Sequence, residues 1–170
     1  MCALLLGTAA YVAFFRDGGR SAPAAVGAYF LDAESGRVFV ASDGISPIEA
    51  PSGGKGFRCV LYTCGSEFDP NGMDVAGITQ RGGGVGYLSQ YTPEAQAALE
   101  ERRRGTFPDG DPRLNELMTI IRNGHQVANH DEMRWVPADS SEGYRITTAW
   151  RDACETGRPK RMRPDPRRQR

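Results

Sequence analysis

One stretch, residues 82–104 (GGGVGYLSQYTPEAQAALEERRR), constrains the fold more than any other part of the chain. Its glycine-rich first half leads into an apolar run that predicts a short strand over residues 85–88. Thr92 can then cap a helix by accepting a hydrogen bond from a backbone N–H group, and Pro93 suits the first helical position. Good helix formers continue to Arg104, and Gly105 then ends the predicted helix. Three arginines occupy its last turn, where the helix dipole favours cations. The stretch therefore predicts a strand, a tight corner and a helix.

Two other regions predict strands of the same sheet. Residues 26–31 and 37–41 are rich in Val, Phe and Tyr, and they flank a turn-like cluster that ends in Gly36. This pattern predicts a β-hairpin. Residues 57–64 predict a central strand because both of its faces are largely apolar. We expect this strand to pair antiparallel with residues 85–88.

A second amphipathic helix is predicted after Asp111-Pro112, which repeats the pattern of a cap followed by proline. Its apolar residues recur at helical spacing and are Leu114, Leu117, Met118 and Ile121. Asn123-Gly124 supplies the end of this helix. Residues 125–129, 134–136 and 144–148 are weaker strand candidates. Residues 65–84 are polar and glycine-rich, which predicts an exposed loop or insertion.

These elements predict a single α+β domain over residues 26–154, with an antiparallel sheet of about four to six strands and two helices packed on one face. The chain of 170 residues is 39% hydrophobic, which suffices for one ordinary core. Residues 155–170 are rich in Arg and Pro, which predicts a disordered tail. Residues 158–170 hold seven basic residues and one acidic residue in a chain whose net charge is +0. This tail is either solvated or attaches to nucleic acid or anionic lipid.

The N-terminal segment, residues 1–25, combines an apolar run with a linker. Residues 1–15 are almost entirely apolar and are followed by Arg16 and Arg20. The run is typical of a signal segment and is shorter than the ~20 residues of a membrane-spanning helix. Three interpretations stay open: a signal anchor that begins upstream of Met1, a signal cleaved near Ala22-Pro23-Ala24, and a buried N-terminal helix. We favour an anchor, although basic residues directly after the run count against export.

The four cysteines are Cys2, Cys59, Cys64 and Cys154. Cys59 and Cys64 point to opposite faces of an extended strand, so they are poor partners for each other. In an exported protein, Cys64 and Cys154 form the plausible disulfide, because both lie at the ends of apolar segments. Independent thiols are the alternative. No cysteine or histidine spacing is typical of a zinc site.

No sequence motif assigns a catalytic, cofactor-binding or metal-binding residue. Residues 52–56 (SGGKG) resemble the end of a phosphate-binding loop, but Glu49 and Gly56 stand where that motif needs Gly and Ser or Thr. The glycines of residues 82–86 precede a strand, which excludes a dinucleotide-binding turn and indicates a flexible loop. His125 and His130 point to different faces in either a strand or a helix, so we interpret them as surface residues.

Several segments together resemble a family of small membrane-anchored proteins of unknown function from planctomycete-type bacteria. These segments are YFLDAESGRVFVAS, FRCVLYTCG, GYLSQYTPEAQAALEERR and WVPADSS, with the N-terminal apolar run. The resemblance covers most of residues 29–154, and YLxxYTPEA is its most specific part. It implies an exported domain anchored in the inner membrane by one span, and it supports a Cys64–Cys154 disulfide. It implies no activity.

The expected function is therefore a non-enzymatic, extracytoplasmic module that binds a protein or another envelope component. The alternative is a hydrolase with a site in the glycine-rich loops. A deep pocket lined by His125, His130 or a reduced Cys64 would favour the hydrolase. An open apolar strip beside a sheet edge would favour the binding module.

Overall fold

Eight antiparallel strands form one sheet in the computed structural model, which describes residues 27–42, 44–108 and 110–165. The strands are β1 Ala28–Asp32, β2 Val38–Ala41, β3 Ile48–Glu49, β4 Lys55–Thr63, β5 Gly83–Tyr91, β6 His125–Ala128, β7 Val136–Pro137 and β8 Lys160–Arg161. The helices are α1 Val75–Gln80, α2 Pro93–Arg104, α3 Pro112–Asn123 and α4 Ser141–Ala149, with a 3-10 turn at Trp150–Asp152. The predicted α+β class with an antiparallel sheet is confirmed.

Strand β4 is the centre of the sheet, as its two apolar faces predict. The main strand order is β2-β1-β4-β5-β6-β7, and β3 and β8 pair with the two ends of β4. The hairpin of β1 and β2 is confirmed, with Gly36 at a φ of 67° in its turn. The antiparallel pairing of β4 with β5 is also confirmed, and its register shifts at a bulge between Val60 and Leu61.

The main hydrophobic core lies on one face of this sheet. Its buried residues include Leu31 from β1, Leu61 from β4 and Leu88 from β5. Helix α1 covers the same face with Ile78, which is completely buried. Alternate residues of these strands face the other side of the sheet, since successive side chains of a strand point in opposite directions.

Helices α2 and α3 begin and end where their capping residues predict. The Thr92 side chain accepts a hydrogen bond from the Ala95 backbone N–H group at 3.4 Å, and Pro93 occupies the first turn of α2. Asp111 caps α3 in the same way by accepting from the Arg113 backbone at 2.8 Å. The two helices pack on each other and join the end of β5 to the start of β6.

Replacing Thr92 with Ala should destabilise the domain by about 1 kcal/mol, because the substitution removes the side-chain cap of α2. Chemical denaturation of the two proteins measures the difference. Thr106→Ala is the matched control, since Thr106 is an exposed loop residue. Equal stabilities of Thr92→Ala and the unchanged protein would show that the cap does not stabilise α2.

Two expectations about helices are wrong. The described residues contain four helices instead of two, and the helices do not share one face of the sheet. Residues 144–148, predicted as a strand, lie in α4, whose Ser140 side chain accepts a hydrogen bond from the Gly143 backbone at 3.0 Å. Ile146 of α4 packs on Val127 and Val136, on the face opposite the main core. Residues 65–84 were predicted to be a loop, but they contain α1. This helix packs on the sheet because its Ile78 side chain lies in the main core.

The prediction of a disordered tail over residues 155–170 is wrong for residues 155–165. Strand β8 pairs with Tyr62 and Thr63 of β4, and the Met162 backbone N–H group donates to the Leu61 carbonyl at 2.9 Å. The Met162 side chain is 6% exposed and joins the main core. The pairing of β8 and the burial of Met162 therefore hold in place a segment whose composition alone favours disorder.

The predicted N-terminal apolar segment, with Cys2, lies outside the described residues. Among the residues that the structure describes, no helix combines the length and apolar character needed to cross a membrane.

Candidate functional site

The cysteines that the sequence singles out are bonded to each other. Cys64 and Cys154 form a disulfide with their Cα atoms 5.5 Å apart, and this bond ties the end of β4 to the segment before β8. Cys59 is a buried thiol on the core face of β4. Burial raises the pKa of this thiol far above its ordinary value, so Cys59 is protonated and unreactive at neutral pH.

The two histidines occupy separate environments. His125 is the first residue of β6 and lies in a cavity, whereas His130 follows the strand and approaches Asp131 at 3.0 Å. The described residues contain no group of three or more His, Cys, Asp or Glu side chains that could hold a metal ion. The interpretation of His125 as a plain surface residue is incomplete, because that side chain belongs to a cavity.

The glycine-rich segments have structural roles. Residues 83–84, which were predicted to belong to a flexible loop, are part of strand β5. A Cβ atom on Gly84 would lie 2.6 Å from the Tyr62 hydroxyl oxygen, and one on Gly86 would lie 3.0 Å from Trp150. The absence of side chains at these glycines lets Tyr62 and Trp150 stack over the sheet, with ring centroids 6.1 Å apart.

A cavity of about 200 Å³ lies on the sheet face opposite the main core, and we call it the Arg58 cavity. Its lining residues are Gly44, Ser46, Arg58, Val60, Tyr87, Ser89, Tyr91, His125 and Arg161. It combines charged, aromatic and hydroxyl-bearing side chains from four strands and one loop. Polar groups that converge in a concave space can orient a small ligand.

The strand register explains why these side chains meet. Arg58 pairs with Ser89, Val60 pairs with Tyr87, and both pairs lie on one face of β4 and β5. Tyr91 pairs with His125 across β5 and β6 on the same face, with their rings stacked at a centroid distance of 5.0 Å. Arg161 pairs with Tyr62 at the far end of this face. The β4–β5 bulge lies next to Val60 and Tyr87 in the two strands, and bulges are frequent beside functional sites.

Ser46 anchors the loop that forms one wall of the Arg58 cavity. Its hydroxyl group donates to the Ser89 carbonyl at 2.8 Å and accepts from the Arg58 backbone N–H group at 3.0 Å. Its own carbonyl accepts from the Tyr91 backbone at 2.9 Å. Ser46 is buried and held by the two strands, so its hydroxyl group is occupied with structural hydrogen bonds.

Two arginine residues reach the Arg58 cavity. Arg58 and Arg161 line it, and no aspartate or glutamate does so among the described residues. Burial lowers the pKa of His125, the positive charge of Arg58 lowers it further, and Asp139 opposes both effects. His125 is therefore neutral at pH 7 and can donate or accept a hydrogen bond without adding charge.

Acidification should destabilise the domain through His125. The unfolded chain takes up a proton near the ordinary histidine pKa, whereas the folded protein resists protonation until the pH is lower. The folded state is thus fully stabilised above the ordinary pKa and loses stability as the pH falls below it. Denaturation midpoints at about pH 7.5 and about pH 5 measure this loss. His125→Gln should show a smaller drop between the two pH values, and an equal drop would contradict the assignment.

A second cavity, of about 280 Å³, adjoins the first and shares Arg58 and Arg161 with it. It lies where the start of β1 approaches the end of β8. Its other lining residues are Gly27, Ala28, Tyr29, Cys59, Met162, Arg163 and Pro164. Arg58 and Arg161 therefore lie between the two cavities and line both of them.

Sequence reasoning missed the residues that define the Arg58 cavity. Arg58 was treated only as part of a predicted strand, and Arg161 was assigned to a disordered tail. The signal that could have found Arg58 is its charge at an alternate position of a strand whose other positions are apolar. Arg161 had no such signal, because its place depends on the pairing of β8.

Comparison with known proteins adds no assignment, since no family model, curated protein or solved structure matches this chain.

Proposed function

We propose that this chain is a membrane-anchored, extracytoplasmic domain that binds a ligand without transforming it. The ligand contacts the Arg58 cavity, and the N-terminal apolar segment supplies the anchor. The observation that carries the binding role is the meeting of Arg58, Tyr87 and His125, all half-buried, in one cavity on this sheet face. Aromatic rings and guanidinium groups dominate the energetics of many binding sites.

Two features support a location outside the cytoplasm. The disulfide of Cys64 and Cys154 is typical of oxidising compartments, because cytoplasmic thiols are kept reduced. The apolar run of residues 1–15 is typical of a signal or anchor segment. An exported protein or another envelope component is then the class of partner that the domain meets.

A hydrolase is the second candidate, because a cavity lined by His125 is the feature expected of that alternative, and Ser46 and Ser89 line the same cavity. A nucleophilic serine needs a hydrogen bond to a histidine base. The Ser46 hydroxyl donates to a backbone carbonyl instead, and Ser89 has no side-chain hydrogen bond to His125 among the described residues. A fluorophosphonate probe tests the alternative: specific labelling of either serine would favour the hydrolase.

Fractionation of cells with thiol labelling under non-reducing conditions tests the proposed function. We expect the full-length chain in the membrane fraction, with Cys64 and Cys154 protected until a reductant is added. Cys59 should react only after unfolding, because it is buried. Recovery from the soluble cytoplasm with every thiol accessible after unfolding, without reductant, would overturn the proposal.

Attachment to nucleic acid or anionic lipid through the basic tail stays a separate proposal. Its clean test is the removal of residues 166–170, which hold three arginines. A larger deletion would remove β8 and Met162 from the fold. Salt-sensitive binding that survives this short deletion would count against those terminal arginines.

A further inference from the structure

We propose that the disulfide of Cys64 and Cys154 is a redox-sensitive latch. Its reduction by a dithiol releases residues 155–165, which we call the strap, and uncovers the Cys59 thiol. The latch goes beyond the proposed binding function, because it concerns how the fold opens and not which ligand it holds. The exposure of the disulfide, the attachment of the strap and the burial of Cys59 support it in turn.

A reductant in solution can reach the disulfide. Cys64 is exposed and Cys154 is half-buried. Cys154 also lines a cavity of about 690 Å³, and Trp150, Gly157 and Pro159 are among the other residues that line it. Exposed disulfides are reduced more readily than buried ones, and regulatory disulfides belong to this exposed class. The bond therefore combines a structural position with access from solvent.

The reduction is a thiol–disulfide exchange. A thiolate of the dithiol attacks Cys64 Sγ, the bond between the two Sγ atoms breaks, and Cys154 leaves as a thiolate that takes a proton from water. The second thiol of the dithiol loses its proton and attacks the mixed disulfide at the dithiol's own sulfur. The Cys64 thiolate is then released and takes a proton. The protein gains two electrons and two protons, and the dithiol becomes a disulfide.

A short strand and two buried side chains attach the strap to the rest of the domain. Strand β8 has two residues, which pair with Tyr62 and Thr63. The Met162 amide donates to the Leu61 carbonyl at 2.9 Å, and the Met162 and Pro164 side chains are buried. Most other side chains of the strap are exposed. Segments with few buried apolar contacts open at low free energy, so the strap depends on its covalent tether.

Cys59 reports whether the strap is in place. Its thiol is buried, and the residue lines the cavity of about 280 Å³ beside β8. The strap supplies one wall of this cavity with Arg161, Met162, Arg163 and Pro164. Burial raises the pKa of the Cys59 thiol and keeps it protonated. Release of the strap removes that wall, so the pKa returns toward its ordinary value and the thiol becomes reactive.

The Arg58 cavity changes in the same step. Arg161 belongs to the strap and lines this cavity as well. When the strap leaves β4, the cavity loses the side chain that β8 contributes. The oxidised and the reduced domain therefore present different cavities to a ligand.

The test is thiol labelling of the full-length, oxidised chain under native conditions in a neutral detergent. One sample is reduced with dithiothreitol and desalted under nitrogen, and it is then pulsed with N-ethylmaleimide beside an unreduced sample. Mass spectrometry of peptides measures the labelling of each cysteine. We expect Cys59 to react about tenfold faster in the reduced sample, because the strap then opens locally. Equal Cys59 rates in the two folded samples would overturn the latch.

Hydrogen exchange separates release of the strap from unfolding of the domain. Leu88 is completely buried in β5, between β4 and β6. Its amide should stay protected in the reduced protein under conditions in which Cys59 reacts. Labelling of Cys59 that rises only in step with the exchange of Leu88 would show that the disulfide acts on global stability alone. That result would reject the latch.

A substitution tests the strap without a reductant. Met162→Ala in the oxidised protein should raise the labelling rate of Cys59 about tenfold, because it removes a buried side chain that anchors the strap. Met73→Ala is the matched control, since Met73 packs against the same core but lies outside the strap and outside the cavity that Cys59 lines. Equal rises in the two variants would show that any loss of core packing exposes Cys59, and would reject the strap as its cover.

This outcome is separable from that of the proposed function. Failure of reduction to expose Cys59, in a protein found in the membrane fraction, removes the latch alone. Recovery from the cytoplasm with reduced cysteines removes the proposed location, and the same labelling of protein oxidised in vitro still decides whether the strap opens.

Discussion

Replacing Cys64 and Cys154 with Ser together should cost about 4 kcal/mol of stability. The disulfide closes a loop with a sequence separation of 90 residues, and cross-links across long loops restrict the unfolded chain most. Chemical denaturation of the oxidised protein and of the double variant measures the difference. A loss of this size is a large fraction of the stability of a typical domain.

A reductant provides the control for this prediction. It should lower the denaturation midpoint of the unchanged protein and leave that of the double variant unaltered. Hydrogen exchange adds a local measurement, since Cys154 tethers the segment that leads to β8. The Met162 amide, which donates to the Leu61 carbonyl, should exchange faster in the variant. Unchanged protection of Met162 would show that β8 stays paired without the tether.

Replacing Leu117 with Ala should cost about 3 kcal/mol, because the substitution opens a cavity between α2 and α3. Leu117 is completely buried and packs with Ala98 and Ile121 in the cluster that joins the two helices. The measurement is the free energy of unfolding from chemical denaturation, with circular dichroism as the signal for helix content.

Met118→Ala is the matched control, since Met118 is the next residue of the same helix and is 38% exposed. Both substitutions replace a large apolar side chain with Ala in α3, so they change helix propensity in similar ways. The control should cost less than about 1 kcal/mol. Similar losses in the two variants would mean that α3 does not dock through Leu117.

Local signals predicted the elements whose ends are marked by their own residues. Thr92 and Asp111 lie directly before proline, and they fix the starts of α2 and α3 through side-chain caps that act within one turn. The hairpin was predictable because Gly36 satisfies a backbone conformation that few other residues adopt. Strand β4 was predictable from its apolar residues alone.

Tertiary contacts decided the elements that the sequence did not predict correctly. The run of Ile146, Thr147 and Thr148 favours a strand, yet it forms a helix that is capped by Ser140 and packed on β6 through Ile146. Helix α1 has only six residues, which is too short for a periodic pattern to stand out. Its Ile78 side chain covers the hydrophobic core, and this role can be recognised only when the arrangement of the sheet is known.

The candidate site was the least predictable part of the protein. Its side chains come from positions far apart in the chain, and the strand register alone brings Arg58, Tyr87 and His125 together. Sequence reasoning did single out His125, but it compared this residue only with His130. Pairing across a sheet is a nonlocal property, so no spacing within one segment could reveal the cavity.

The placement of β1 and β8 has a consequence for the topology of the whole domain. Thr63 pairs with β5 on one side and with β8 on the other, so β8 shares the side of β4 that β1 occupies. Both strands run opposite to β4, and Gly27 and Pro164 meet in one cavity. The two ends of the described chain therefore lie close together. A short linker between these ends and a cut beside Gly110, in the exposed loop after α2, would give a circular permutant that keeps every strand pairing.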